Sequence, residues 1–224
     1  EKGDGVPQDK SKAIQLYQQA SDLGNTDAMV NHALCYKNGF GVTQEKSKAI
    51  QMFQKASHLG NTEAMFNLAV CYYNGDGVSQ DKKKAFKLFQ QSFDLGNIGA
   101  IVSLGICYEN GDGVSQSKKK AIQLYRQAAD LGNTDAMIHL AVCYIRGNGV
   151  PHDKSKAIQL FQQASDLGDV HAMYSLGICY LKGDGVSQDK SKAFQLFQQA
   201  ADLGNNDAIA QLKKHGDEKP RDEQ

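Results

Sequence analysis

Apolar residues fall at helical spacing in short blocks along this chain. Between Asp27 and Asn38 they are Ala28, Met29, Ala33 and Tyr36, with His32 in the same stripe; between Glu45 and His58 they are Ala49, Ile50, Met52, Phe53 and Ala56. Such spacings predict two amphipathic helices, A and B, because a half-buried strand would alternate strictly. Helix B is expected to stop at Leu59-Gly60, since glycine enters the left-handed conformation that closes a helix, and Asn61 can cap the helix A that follows. The connection from A to B runs through Gly39-Phe40-Gly41-Val42. It then reaches an acid suited to a helix N-terminus, Asp9, Glu45, Asp81, Asp153 or Asp189, with Ser117 in that place once.

The pair recurs every 36 residues: Gly-x-Gly-Val begins at Gly3, Gly39, Gly75, Gly111, Gly147 and Gly183, and Leu-Gly returns in step from Leu23 to Leu203. Ordering such a hairpin costs roughly 1.5 kcal/mol per residue, so its apolar face must be covered by the next unit. The expected fold is all-α: a right-handed α-α superhelix (solenoid) of 36-residue helix-turn-helix repeats held by nearest-neighbour contacts. The expected organisation is a single array over 1–216. It comprises a half repeat at 1–24, whole repeats at 25–60, 61–96, 97–132, 133–168 and 169–204, and a capping helix at 205–216, with a disordered charged tail at 217–224. The cap is read from Lys213, Lys214 and His215, polar where earlier repeats carry a small residue, an aliphatic and Cys. The first helix B keeps the full pattern on Ile14, Tyr17 and Ala20, which is expected if more repeats precede it.

Composition narrows the function. Lys plus Arg and Asp plus Glu number 25 each, so the net charge is zero and no basic field calls for a nucleic-acid partner. No apolar run approaches the roughly eighteen residues of a membrane helix, so no membrane segment is expected. The five cysteines, Cys35, Cys71, Cys107, Cys143 and Cys179, each precede a tyrosine in helix A, so their odd number is a repeat count. Equivalent positions in stacked helices lie about 8 to 10 Å apart, beyond the roughly 7 Å between Cα atoms that a disulfide spans. Five free thiols are expected, which favours a reducing compartment such as the cytoplasm.

The succession Ala172, Leu176, Gly177, Tyr180, then Gly183, Gly185, Val186, then Asp189, Lys192, Ala193, Leu196, Phe197, Ala200 and Gly204 resembles the Sel-one-like repeats, relatives of the tetratricopeptide repeats. The likeness covers residues 3 to about 212 and recurs six times. It implies an α-solenoid that acts as an adaptor or scaffold. A cysteine-rich, lactamase-like branch of the family carries two bridged cysteines per repeat, where this sequence has one. In the tetratricopeptide relatives, ligands lie along the concave surface of the A helices, which carries a groove to positions 27, 30, 34, 37 and 38 and their 36-residue equivalents.

Comparing repeats within the chain separates stacking positions, which recur, from positions that vary as a recognition surface would. One groove column reads Lys37, Tyr73, Glu109, Ile145, Leu181; a second, Val30, Phe66, Val102, Ile138, Tyr174; a third, Asn38, Asn74, Asn110, Arg146, Lys182. This mixed surface suits an extended peptide or a partner's helix. The candidate partner-binding residues are Lys37, Phe66, Tyr73, Glu109, Ile138, His139, Ile145, Arg146, Tyr174, Leu181 and Lys182. Phe66, Tyr73, Ile138 and Tyr174 are equally consistent with filling space between repeats, and the three asparagines read as helix-end residues. Lys82 to Lys84 and Lys118 to Lys120 read as a solvated convex face away from the groove.

No catalytic, cofactor or metal site is expected. His32 takes a place held by leucine in later repeats and reads as a satisfied, semi-buried packing residue. No His pair at i, i+4 and no Cys-x-x-Cys occurs, and Gly-x-Gly-Val follows a helix rather than the strand of a dinucleotide loop. The sequence points to a non-enzymatic scaffold or adaptor with a protein or peptide partner and no cofactor. The alternatives are a spacer or regulatory arm of a larger protein and, more remotely, an enzyme of the lactamase-like branch.

Overall fold

The computed structural model describes residues 9–215, in two compact units, the first ending at Ser117 and the second beginning at Lys118. The first carries α1 (Lys10–Asp22), α2 (Thr26–Asn38), α3 (Lys46–His58), α4 (Thr62–Asn74), α5 (Lys82–Asp94) and α6 (Ala100–Asn110). The second carries α7 (Lys118–Asp130), α8 (Thr134–Arg146), α9 (Lys154–Asp166), α10 (Val170–Lys182), α11 (Lys190–Asp202) and α12 (Asn206–His215). Even-numbered helices are the A helices and odd-numbered ones the B helices. No strand occurs among the described residues, and the fold is an all-α solenoid in which helices pack chiefly on their sequence neighbours. The expected capping helix corresponds to α12, whereas the tail at 217–224 and the start of the half repeat lie outside the described residues.

The caps follow from side-chain chemistry. Asn25, Asn61, Asn133, Asp169 and Asn205 each accept the backbone N–H three residues on, opening the A helices. Asp9, Asp81, Asp153 and Asp189 do the same for the lysine three residues on, opening B helices. Glu45 makes no side-chain cap. Helix α6 departs from the pattern: Asn97 donates instead to the Thr62 carbonyl at 3.3 Å, and the helix starts only at Ala100, after Gly99, with no side-chain cap.

Within each unit the core is a column of B-helix rings set against small residues on the A helices. Phe53 and Phe89 are buried in the first unit, and Tyr125, Phe161 and Phe197 in the second. A Cβ at Gly177 would come within 2.6 Å of the Phe197 ring, so the small position is cut to the ring's thickness. Each such ring contributes about 1.5 to 3 kcal/mol by leaving water. All five cysteines are free and buried. Burial pushes the Cys71 thiol up, and burial together with a nearby aspartate pushes Cys107 to about 12 and Cys179 to about 11. Burial thus disfavours the thiolate at Cys71, Cys107 and Cys179, which serve as packing groups.

Successive repeats are locked by the Gly-x-Gly loop. The first lysine of a B helix pairs with the aspartate between the glycines of the next repeat: Lys46–Asp76 at 2.8 Å, Lys82–Asp112 at 2.6 Å and Lys154–Asp184 at 2.5 Å. Phe40 stands in the aspartate's place once, and Lys10 lies over its ring at 4.5 Å. The second glycine lets the loop approach this lysine: a Cβ at Gly77 would sit 2.8 Å from the Lys46 Cβ, and one at Gly113 would overlap the Lys82 carbonyl. The third lysine position faces the tyrosine that follows Cys. Lys48, Lys84 and Lys192 donate to Tyr36, Tyr72 and Tyr180 at 2.6, 2.7 and 2.7 Å and lie over the same rings.

Two expectations need correction here. Lys82 and Lys84 are not merely a solvated face, because Lys82 locks the next repeat and Lys84 ties α5 to α4 within its own, while Lys83 between them is exposed. His32 is more deeply buried than expected, at 1% exposure, and its Nδ1 has no hydrogen-bond partner. It packs on Tyr36 with ring centroids 5.0 Å apart. Burial, with Lys48 nearby, holds its pKa below the ordinary histidine value despite Asp22.

The glycines give a paired test. Gly96 has φ +97° and open space around it, whereas Gly113 has φ +74° and the Lys82 backbone in the way. Gly96→Ala should cost only the left-handed strain of about 1 to 2 kcal/mol, and Gly113→Ala roughly 3 kcal/mol or more in urea unfolding, overpacking being added. His32 gives a pH test. The unfolded chain takes up a proton below pH ~6.5 that the folded chain refuses, so stability falls as pH drops through that value. His32→Leu should raise the thermal midpoint and flatten its decline between pH ~7 and ~5.

Candidate partner-binding groove

Side-by-side A helices form the candidate face in each unit. In the first, Asn61 donates to Thr26 Oγ1 at 3.1 Å and to Asp27 at 2.7 Å, tying α4 to α2. The opposite ends of these helices are fixed by loop glutamines. Gln44, Gln80, Gln116 and Gln188 donate to the carbonyls of Lys37, Tyr73, Glu109 and Leu181 at 2.8, 2.8, 2.7 and 2.8 Å. At four of its five positions the backbone beneath the most variable column is thus held while its side chains differ; at Ile145 the loop carries His152 in the glutamine's place.

In the first unit, Lys37, Phe66, Tyr73 and Glu109 are half-buried. Phe66 and Tyr73 both pack on Phe89, at centroid distances of 5.6 and 6.4 Å. Tyr73 Oη donates to Asp112 Oδ2 at 2.6 Å while Lys82 Nζ donates to Asp112 Oδ1 at 2.6 Å, so the groove tyrosine is wired into the repeat lock. Burial first, then the bond to Asp112, pushes the Tyr73 phenol up to about 12. For Asp112, burial works against ionisation, but bonds from Lys82, Tyr73 and Asn110 outweigh it and lower its pKa. Val30, in the same column as Phe66, is 1% exposed and is core rather than groove.

In the second unit, Ile138 is half-buried against Met137, Ala164 and Ala172. His139 stacks on Tyr125, with centroids 5.0 Å apart and planes 13° apart, so it is a packing partner of α7 rather than an open polar position. Tyr174 packs on Phe197 at 5.8 Å. A cleft of about 580 Å³ brings together Ile145, Tyr174, Leu181 and Lys182, four of the candidates, with Ile178 and Lys214. Arg146 is exposed one residue beyond Ile145. Lys214 is the last copy of groove position 34, aliphatic in every earlier repeat; in the sequence its departure reads as part of the terminal cap, and it stands outside the candidate set.

Among the described residues, no group of three His, Cys, Asp or Glu could hold a metal ion, and no helix is long and apolar enough to cross a membrane. The Sel1 repeat family matches residues 1–25, 26–61, 62–97, 99–133, 134–169 and 170–205. The chain belongs to the Sel1 repeat family. It is similar to a protective antigen present in uropathogenic Escherichia coli strains that displays an SLR fold: 32% identity, 94% of this chain, TM-score 0.76. This chain spans 45% of that antigen. A Sel1 repeat protein from Oxalobacter formigenes is 28% identical over 90% of this chain and 89% of its own, with a TM-score of 0.78. An immunity protein from Pseudomonas aeruginosa is 25% identical over 92% of this chain and 71% of its own, with a TM-score of 0.56. None of the curated proteins is a match for this sequence. Sel1 repeat proteins are generally protein–protein interaction scaffolds, typically without enzymatic activity.

The Tyr73–Asp112–Lys82 arrangement predicts a measurable coupling. In Asp112→Asn, the Tyr73 phenol should titrate closer to the ordinary tyrosine value, read by NMR of ring-labelled tyrosine. Unfolding should become easier by about 1.5 to 3 kcal/mol, the range for hydrogen bonds to a charged group.

Proposed function

We propose that this Sel1 repeat protein is a non-enzymatic scaffold or adaptor that binds a peptide or protein partner on the concave surface of its A helices. The observation that carries this reading is the contrast between columns. Positions that stack, such as the tyrosine after each cysteine, recur, whereas the half-exposed column Lys37, Tyr73, Glu109, Ile145, Leu181 changes in every repeat, on a backbone held by loop glutamines at every position but Ile145. A packing surface has no need of that variety; a surface reading successive features of an extended partner does.

The test compares three versions of the chain as bait: the native sequence, Tyr73→Ala with Tyr174→Ala, and Lys83→Glu on the B helices. Partners recovered from extract with the native chain should be lost with the tyrosine pair and kept with Lys83→Glu, with circular dichroism showing all three folded. Equal recovery with the tyrosine variant would place the binding surface elsewhere.

A further inference from the structure

The A-helix faces of the two units differ in charge, and we propose that the second unit's groove takes a partner segment in which an apolar side chain is followed closely by carboxylates. This deepens the scaffold reading and rests on it. The floor of the 580 Å³ cleft is apolar and half-buried, formed by Ile145, Tyr174, Ile178 and Leu181, and its volume lies within the range of clefts that enclose a ligand's side chains. Tyr174, Ile178 and Leu181 also rest on the buried cluster around Phe197, so this floor is pre-formed.

The rim of the cleft is cationic. Lys182 and Lys214, both exposed, lie in the last turns of α10 and α12, and Arg146 occupies the same turn of α8. Among the described residues, the one acid lining the cleft, Asp184, is already paired with Lys154 at 2.5 Å. A helix C-terminus carries only about half a negative charge, so capping does not neutralise these side chains. The first unit differs: its third column is Asn38, Asn74 and Asn110, its groove column sets the cation Lys37 against the acid Glu109, and Lys82 is held by Asp112. A carboxylate lying on this rim while its neighbouring apolar side chain enters the cleft would satisfy both features. A nucleic-acid duplex would engage the cations but leave the apolar floor unused.

The full chain is titrated by fluorescence anisotropy with three labelled peptides that share a central Leu-Phe and differ in flanks of Asp/Glu, Ser or Lys. The acid-flanked peptide should bind roughly tenfold tighter than the Ser-flanked one, and the Lys-flanked peptide weakest. Lys182→Gln with Lys214→Gln, at exposed positions, should equalise the acid- and Ser-flanked peptides while leaving the thermal midpoint unchanged. Tyr174→Ala should weaken all three peptides. If Tyr174→Ala weakens binding but acid flanks confer no advantage, or one that survives the Gln pair, the carboxylate inference falls and the groove reading stands. Binding indifferent to Tyr174→Ala overturns both. Absence of binding by the acid-flanked peptide overturns the inference, as does displacement of that peptide by a duplex DNA oligonucleotide as effectively as by its own unlabelled form.

Discussion

A hairpin of 36 residues leaves one side of its apolar surface uncovered, and the solution adopted here is a junction that closes against the next hairpin in one register. The lysine that opens a B helix meets the loop of the following repeat through an ion pair and through a glycine that admits its backbone at near contact. Exposed ion pairs alone are worth about 1 kcal/mol or less. The close approach is what fixes register, because a shift of one residue would drive a side chain into the lysine backbone. The ring column, the small-residue column and the tyrosine–lysine contacts all presuppose that spacing.

The candidate groove inherits its geometry from the same junction. In the first unit, Asp112 accepts from Lys82 of the preceding repeat and from Tyr73 of the groove, so one carboxylate serves both stacking and the orientation of a surface tyrosine. In the second unit the equivalent pair, Lys154 and Asp184, closes on itself, and among the described residues Lys182 beside the cleft is in no ion pair. Local substitutions at the ends of A helices therefore change the chemistry presented to a partner without disturbing the lock beneath.

Much of this was legible in the sequence. The expected helix at Asp27–Asn38 is observed at Thr26–Asn38, and that at Glu45–His58 at Lys46–His58, because Asn25 and the Gly-x-Gly loop leave little freedom for either end. The late start of α6 was missed, since Ile98 and Gly99 weaken the first turn without altering the apolar pattern. The engagement of Lys82 and Lys84 was missed because a period reports which residues are equivalent and not how far apart they stand. His32 was placed correctly on the packing face, but its unpaired Nδ1 depends on what surrounds the ring, and no column pattern records that. Val30 and His139 show the same limit: surface columns in the repeat become buried or stacked where the neighbouring residue permits it.

The lock also bears on how such a chain changes length. Because the lysine of one repeat and the glycine loop of the next make the same joint wherever the native pattern is kept, removing or duplicating a 36-residue block regenerates that joint at the new boundary. Growth by whole repeats therefore requires no compensating change elsewhere. Insertion of any other number of residues within a hairpin would break two joints at once. Such arrays accordingly lengthen in quanta, each new unit adding a fresh set of variable A-helix positions to the recognition face.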